Sequence, residues 1–112
     1  MPLERTLNAY RKQGKNCAQS IFYGFQEVLD IPDAAIEAAR QQGGGRAKDG
    51  LCGALAAAFE LSRDPDTVER LKGVFERVAG SLRCREIRAK KKLGCEGCVH
   101  LAASILAQEH PR

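Results

Sequence analysis

An all-α fold is predicted by three features of this chain. Val, Ile and Thr are sparse while Ala is abundant, a balance that favours helix over strand. Apolar residues recur at three- and four-residue spacing in almost every segment. Helix start signals also stand where the periodic segments begin: Asn16 with Gln19 three residues later, and Asp64-Pro65-Asp66. The expected architecture is one domain over residues 1–112: a bundle of five or six helices around a central apolar helix that follows Cys52.

Leu3, Leu7 and Tyr10 fall on one face of a short first helix, which Gly14 ends. Asn16 and Gln19 form a capping box for the second helix, whose stripe is Ala18, Ile21, Phe22, Phe25, Val28 and Leu29. Asp30-Ile31-Pro32-Asp33 breaks it, and Asp33 caps a helix running to about Gln42. The glycine-rich stretch 43–50 then leads into Leu51-Cys52-Gly53-Ala54-Leu55-Ala56-Ala57-Ala58-Phe59-Glu60-Leu61, apolar on nearly every side and therefore central. Pro65 opens the next helix, with Val68, Leu71, Val74, Phe75 and Val78 as its buried stripe. A shorter helix holds Cys84 and Ile87. The last begins near Glu96 and turns Cys98, Leu101, Ala102, Ile105 and Leu106 inward, with His110 in a frayed tail.

At 112 residues the chain can bury a core without crosslinks. No apolar run approaches the roughly 20 residues of a membrane span. No apolar segment follows Met1-Pro2-Leu3-Glu4-Arg5 as in a signal peptide, so a cytoplasmic location is expected. There thiols are kept reduced, and an odd count of five cysteines argues for metal binding or redox chemistry over a disulfide framework. The net charge of +4 is concentrated: between residues 83 and 92 six Arg and Lys face only Glu86. These cations suit a solvated face, can hold Cys84 and Cys95 toward thiolate, or can steer an anionic partner. No aromatic residues interleave with them, which disfavours a nucleic-acid surface.

The chemistry therefore rests on Cys17, Cys52, Cys84, Cys95 and Cys98. Cys17 follows an N-cap and Cys52 follows a glycine loop. Unpaired N–H groups and the positive end of the helix dipole favour a thiolate at both places. The alternative for each is a small buried hydrophobe. With Arg46 and Lys48 nearby, Cys52 is expected to be the fastest thiol to alkylate. The loop before it lacks the ending of a phosphate-binding loop and follows a helix. Cys95-Glu96-Gly97-Cys98 is a CxxC, but no strands supply a thioredoxin-like setting and no second CxxC completes a zinc pair. Val99 stands where covalent haem attachment needs His. His100 lies about 200° round the helix from Cys98 and belongs to the surface.

Asn16-Cys17-Ala18-Gln19, Gly43-Gly44-Gly45, Cys52-Gly53-Ala54-Leu55, Cys84-Arg85-Glu86-Ile87 and Cys95 with Val99, Ala102, Ala103, Ile105 and Leu106 together resemble the C_GCAxxG_C_C family. Its mark is four cysteines and a CGAxxG motif, and its name records a suspicion of redox activity. The resemblance covers almost the whole chain. It implies that the four family cysteines are Cys17, Cys52, Cys84 and Cys95. Cys98 is then an extra, because Cys95 and Val99 meet the family's Cys-x-x-x-Val spacing. Ala57 stands where CGAxxG carries its last glycine.

Three functions follow. The leading one is a thiol–disulfide or electron carrier, with Cys17 and Cys52 reactive, Cys84 or Cys95 resolving, and a redox partner of unspecified identity. The second is a binding module whose four thiolates, Cys17, Cys52, Cys84 and Cys95, hold Zn or an Fe–S cluster. The third is an interaction protein with inert thiols that self-associates into a homo-oligomer.

Overall fold

The computed structural model describes residues 2–110 and is all-helical, with eight α-helices. They are α1 (Pro2–Lys12), α2 (Cys17–Gly24), α3 (Gln26–Leu29), α4 (Asp33–Ala38), α5 (Gly53–Leu61), α6 (Pro65–Val74), α7 (Cys84–Lys90) and α8 (Cys95–Ala107). A 3-10 turn extends α4 through Ala39–Gln42, and a π-helical turn extends α6 through Phe75–Ala79. The only strand-like pairing among the described residues is one antiparallel bridge between Leu51 and Arg83.

The eight α-helices exceed the expected five or six: seven helical segments stand in the sequence, and one of them is two helices in the fold. The stripe from Ala18 to Leu29 breaks at Phe25, whose backbone (φ −101°, ψ 9°) is not helical. Phe25 is fully buried there, while Val28 is 43% exposed. The break follows a tight crossing of α1 and α2: a Cβ on Gly24 would fall 1.7 Å from Thr6 Oγ1. That hydroxyl is buried and donates to Pro2 O at 2.8 Å, so the crossing leaves no unpaired polar group at Thr6. On α1 the fully buried positions are Pro2, Thr6 and Ala9, with Leu3, Leu7 and Tyr10 half-buried beside them.

Asp30 ends α3 in a left-handed conformation (φ 56°). Asp33 does not cap α4; it is that helix's first residue, after an N-cap at Pro32, and its carboxylate accepts from Gln26 Nε2 at 2.6 Å. Asp64 caps α6 as expected, accepting from Asp66 N at 2.9 Å, and Pro65 takes the first helical position. The π-helical turn then shifts the stripe by one residue. Leu71, Phe75 and Ala79 are fully buried, while Val78 turns outward at 41% exposure.

One buried cluster runs from Ala18 to Leu106. Helix α5 packs against α2, α6 and α8, but α2 is equally a hub, touching α1, α4, α5 and α8. Nor is α5 enclosed on every side: Glu60 is exposed and Ala56 and Phe59 are half-buried. Ala57 is fully buried, so its methyl fits where the family motif carries glycine. The segment from α8 to His110 is packed and not frayed. His110 is half-buried, with its ring 6.2 Å from that of Phe25 between centroids. Glu109 accepts from Ser62 Oγ at 2.5 Å and Arg63 N at 3.0 Å, tying the turn after α8 to the entrance of α6.

Candidate functional site

Four of the five cysteines mark helix starts. Cys17, Cys84 and Cys95 are the first residues of α2, α7 and α8, and Cys52 is the N-cap of α5. The bundle turns these starts toward one another. Cys17, Cys52, Cys84, Cys95 and Cys98 all line a single, partly open cavity of about 310 Å³, together with Ile87, Leu93, Arg88, Lys91 and the backbone at Gly44, Gly53 and Gly94. All five thiols are free.

Local chemistry sets each position. The Asn16 side chain accepts from Gln19 N at 2.9 Å, and Gln19 Oε1 accepts from Asn16 N at 3.1 Å, the expected capping box. Asn16 Nδ2 also donates to Arg40 O at 2.8 Å and so anchors the segment leading to the glycine loop. Cys17 then lies within hydrogen-bonding reach of the Gly44 and Ala18 amides. Its sulfur sits where a side chain on Gly53 would be, only 2.6 Å from an ideal Cβ there. This close approach is what glycine after Cys52 makes possible.

Cys52 and Cys84 are tied through backbone. Leu51 pairs with Arg83, and Cys52 N donates to Leu82 O at 2.9 Å. The Cys52 sulfur faces the Leu55 and Ala54 amides at the start of α5. Cys98 lies in the first turn of α8, 2% exposed, with its thiol in hydrogen-bonding reach of Cys52. Cys95 is exposed, and the Arg88 guanidinium reaches its sulfur.

These surroundings divide the thiols. The hydrogen bond to Cys98 and then burial push the Cys52 thiol well above its ordinary value. The same hydrogen bond lowers Cys98 against the opposing effect of burial. Of the two sulfurs, Cys52 is therefore the one that keeps its proton and Cys98 the one that ionises first. Burial raises Cys17, and the proximity of Cys52 adds to it. Burial also raises Cys84, with Arg88 partly opposing. The nearby Tyr10 phenol is raised by burial first and by Cys95 next.

Two expectations change. Cys52 is 6% exposed and its thiol is raised, so it is not built to be the fastest thiol toward reagents in solution. Burial in the cavity wall outweighs the helix start and the glycine approach. Cys98 packs inward as expected, yet its sulfur belongs to the cavity. The CxxC spacing carried that signal, since residues three apart share a helix face. His100 is exposed and within 3.3 Å of Ser104 Oγ through Nδ1.

Among the described residues, no three His, Cys, Asp or Glu side chains are arranged to hold a metal ion. The donor set is chemically suited to zinc or iron–sulfur, but its spacing is not that of a ligand cage. No helix is long and apolar enough to cross a membrane, among the same residues.

A family model described as "Putative redox-active protein (C_GCAxxG_C_C)" matches residues 15–109. No curated protein and no solved structure matches the chain significantly.

Proposed function

The chain belongs to the C_GCAxxG_C_C family, and on that premise we propose that it is a thiol–disulfide exchange protein whose sulfurs pass oxidising equivalents through one cavity. The observation that carries this reading is the convergence of all five thiols on that cavity, with Cys98 lowered by its bond to Cys52.

Cys95, the exposed sulfur, meets the oxidant. Its thiolate attacks a disulfide, forms a mixed disulfide and expels one thiolate, which takes up a proton. Cys98, three residues on and poised toward thiolate, attacks the Cys95 sulfur and expels the second. The product is a Cys95–Cys98 disulfide. Cys52 can then attack Cys98, moving the bond inward to Cys52–Cys98 and returning Cys95 to the thiol. Cys17 and Cys84 complete the sulfur lining and serve as further resolving thiols. The protein ends oxidised by two electrons and the partner disulfide ends as two thiols.

The test is equilibration of reduced protein in thiol–disulfide buffers of graded potential, followed by acid quench and mass-spectrometric mapping. Two-electron oxidation joining Cys98 to Cys95 or Cys52 supports the reading. Thiols that stay reduced across the range, or a disulfide set that excludes Cys98, overturn it. Stoichiometric zinc binding that protects four thiols would favour the binding-module alternative.

A further inference from the structure

The thiol cavity opens between two grooves lined with cations that no carboxylate among the described residues pairs, although Arg46 donates to Gly43 O and Arg40 O and Lys15 to Gln13 Oε1. One carries Arg83, Arg85 and Arg88 beside Cys84, over the backbone of Gly44, Gly45 and Gly50. The other carries Lys15, Arg40, Arg46 and again Arg88, beside Cys17 and Cys95. Lys91 lines the cavity itself. The ion pairs among the described residues are Arg5–Glu27, Arg11–Glu96, Lys72–Glu69 and His110–Glu109, so none of these groove cations is neutralised by one. Opposing carboxylates are few. Asp49 lines the first groove. Glu96, next to Cys95, is bound by Arg11 at 2.6 Å. Glu86 accepts from Ser81 Oγ at 2.5 Å.

Exposed guanidiniums without a carboxylate partner beside reactive sulfur select for negative charge on the reacting partner, and planar guanidinium is suited to gripping carboxylates. The size of the cavity fits a small molecule. We infer that the oxidant of this cysteine cavity is a small anionic disulfide, drawn in along Arg83 and Arg85 and held through a carboxylate by Arg88, which lines both grooves and reaches Cys95, while its sulfurs meet Cys95. This inference rests on the thiol-exchange reading and adds the class of substrate. The balance is fixed by that substrate: one disulfide bond breaks, two thiolates leave and take up protons, and one protein disulfide forms.

The test compares second-order rates of oxidation of the reduced full chain by three small disulfides: dithiodiglycolate (anionic), hydroxyethyl disulfide (neutral) and cystamine (cationic). Each rate is divided by that disulfide's rate with free cysteine, removing intrinsic reactivity. The corrected anion-to-cation ratio is expected to exceed about tenfold at low ionic strength, within the usual range of electrostatic steering. It should fall toward one in high salt. The variant Arg83→Gln/Arg85→Gln, changed at exposed positions, should lower the ratio several-fold. Equal corrected rates for all three disulfides would leave thiol exchange standing and overturn the anionic substrate. A ratio that the double variant does not change would overturn the assigned residues. Reaction with none of the three would overturn both readings.

Discussion

The thiol of Cys98, in the first turn of α8, meets the thiol of Cys52 at the start of α5, and the contact raises Cys52 while it lowers Cys98. Each sulfur reaches the other across a helix interface, and each changes what the other can do. If Cys52→Ala removes the donor, Cys98 loses the contact that lowers it while keeping its burial. Its ionisation, followed by thiolate ultraviolet absorbance against pH, is expected to move upward. An unchanged or lower midpoint would show that Cys52 does not set it.

Alkylation should follow exposure and ionisation together. In reduced protein at neutral pH, Cys95 is expected to take a brief iodoacetamide pulse first and Cys52 last, because Cys52 is buried and raised. Peptide mapping reads the order directly, and early labelling of Cys52 would contradict this account of the cavity.

The raised thiols give stability a direction with pH. Cys17, Cys52 and Cys84 are all raised in the folded protein. A raised thiol contributes stability fully below its unfolded value, about 8.5, and loses it as pH climbs through the folded value. Cys98 is lowered and contributes in the opposite sense, above the unfolded value. Three groups against one predict that reduced protein is less stable to urea at pH 10 than at pH 7.

Gly53→Ala should cost about 1–3 kcal/mol, the usual range for overpacking, because its Cβ would fall 2.6 Å from Cys17 Sγ. Adding Cys17→Ala should recover part of this and not all, since Gln42 O at 2.8 Å and Gly43 Cα at 3.1 Å still crowd the methyl. Denaturant melts of the two single variants and the double variant measure the coupling. Strict additivity would mean that the sulfur is not what the glycine accommodates.

Oxidation should stiffen the chain. A Cys52–Cys98 disulfide closes a loop of more than forty residues, worth about 4 kcal/mol in the chain-entropy treatment. The oxidised protein is therefore expected to unfold at a higher temperature than the reduced one, and Cys98→Ala should abolish the difference. Equal melting of both forms would argue against that bond.

Much of this was readable in the chain because the deciding forces are local. The capping box at Asn16 and Gln19, the start at Asp64-Pro65 and the helical periodicity of α8 depend on neighbours within one turn. The break at Phe25 and the rotation of Val78 to the surface were not readable. The first is imposed by α1 crossing at Gly24, and the second by a π-helical turn, which no spacing rule announces. Helix starts singled out Cys17 and Cys52. That the starts of four helices converge is a property of the packing, and so is the place of Cys98. Its apolar helical neighbours indicate burial, but only the fold says that it is buried against another sulfur.

The bridge between Leu51 and Arg83, with the bond from Cys52 N to Leu82 O, holds two cysteine-bearing helix starts together through main chain alone. Peptide groups are common to every residue except proline. Sequence drift at positions 51, 82 and 83 can therefore exchange side chains without separating the two sulfurs, as long as proline stays away from the hydrogen-bonded amides. The spacing of the thiols is insured against mutation by atoms that mutation does not alter, and the side chains beside them are left free to diversify toward different partners.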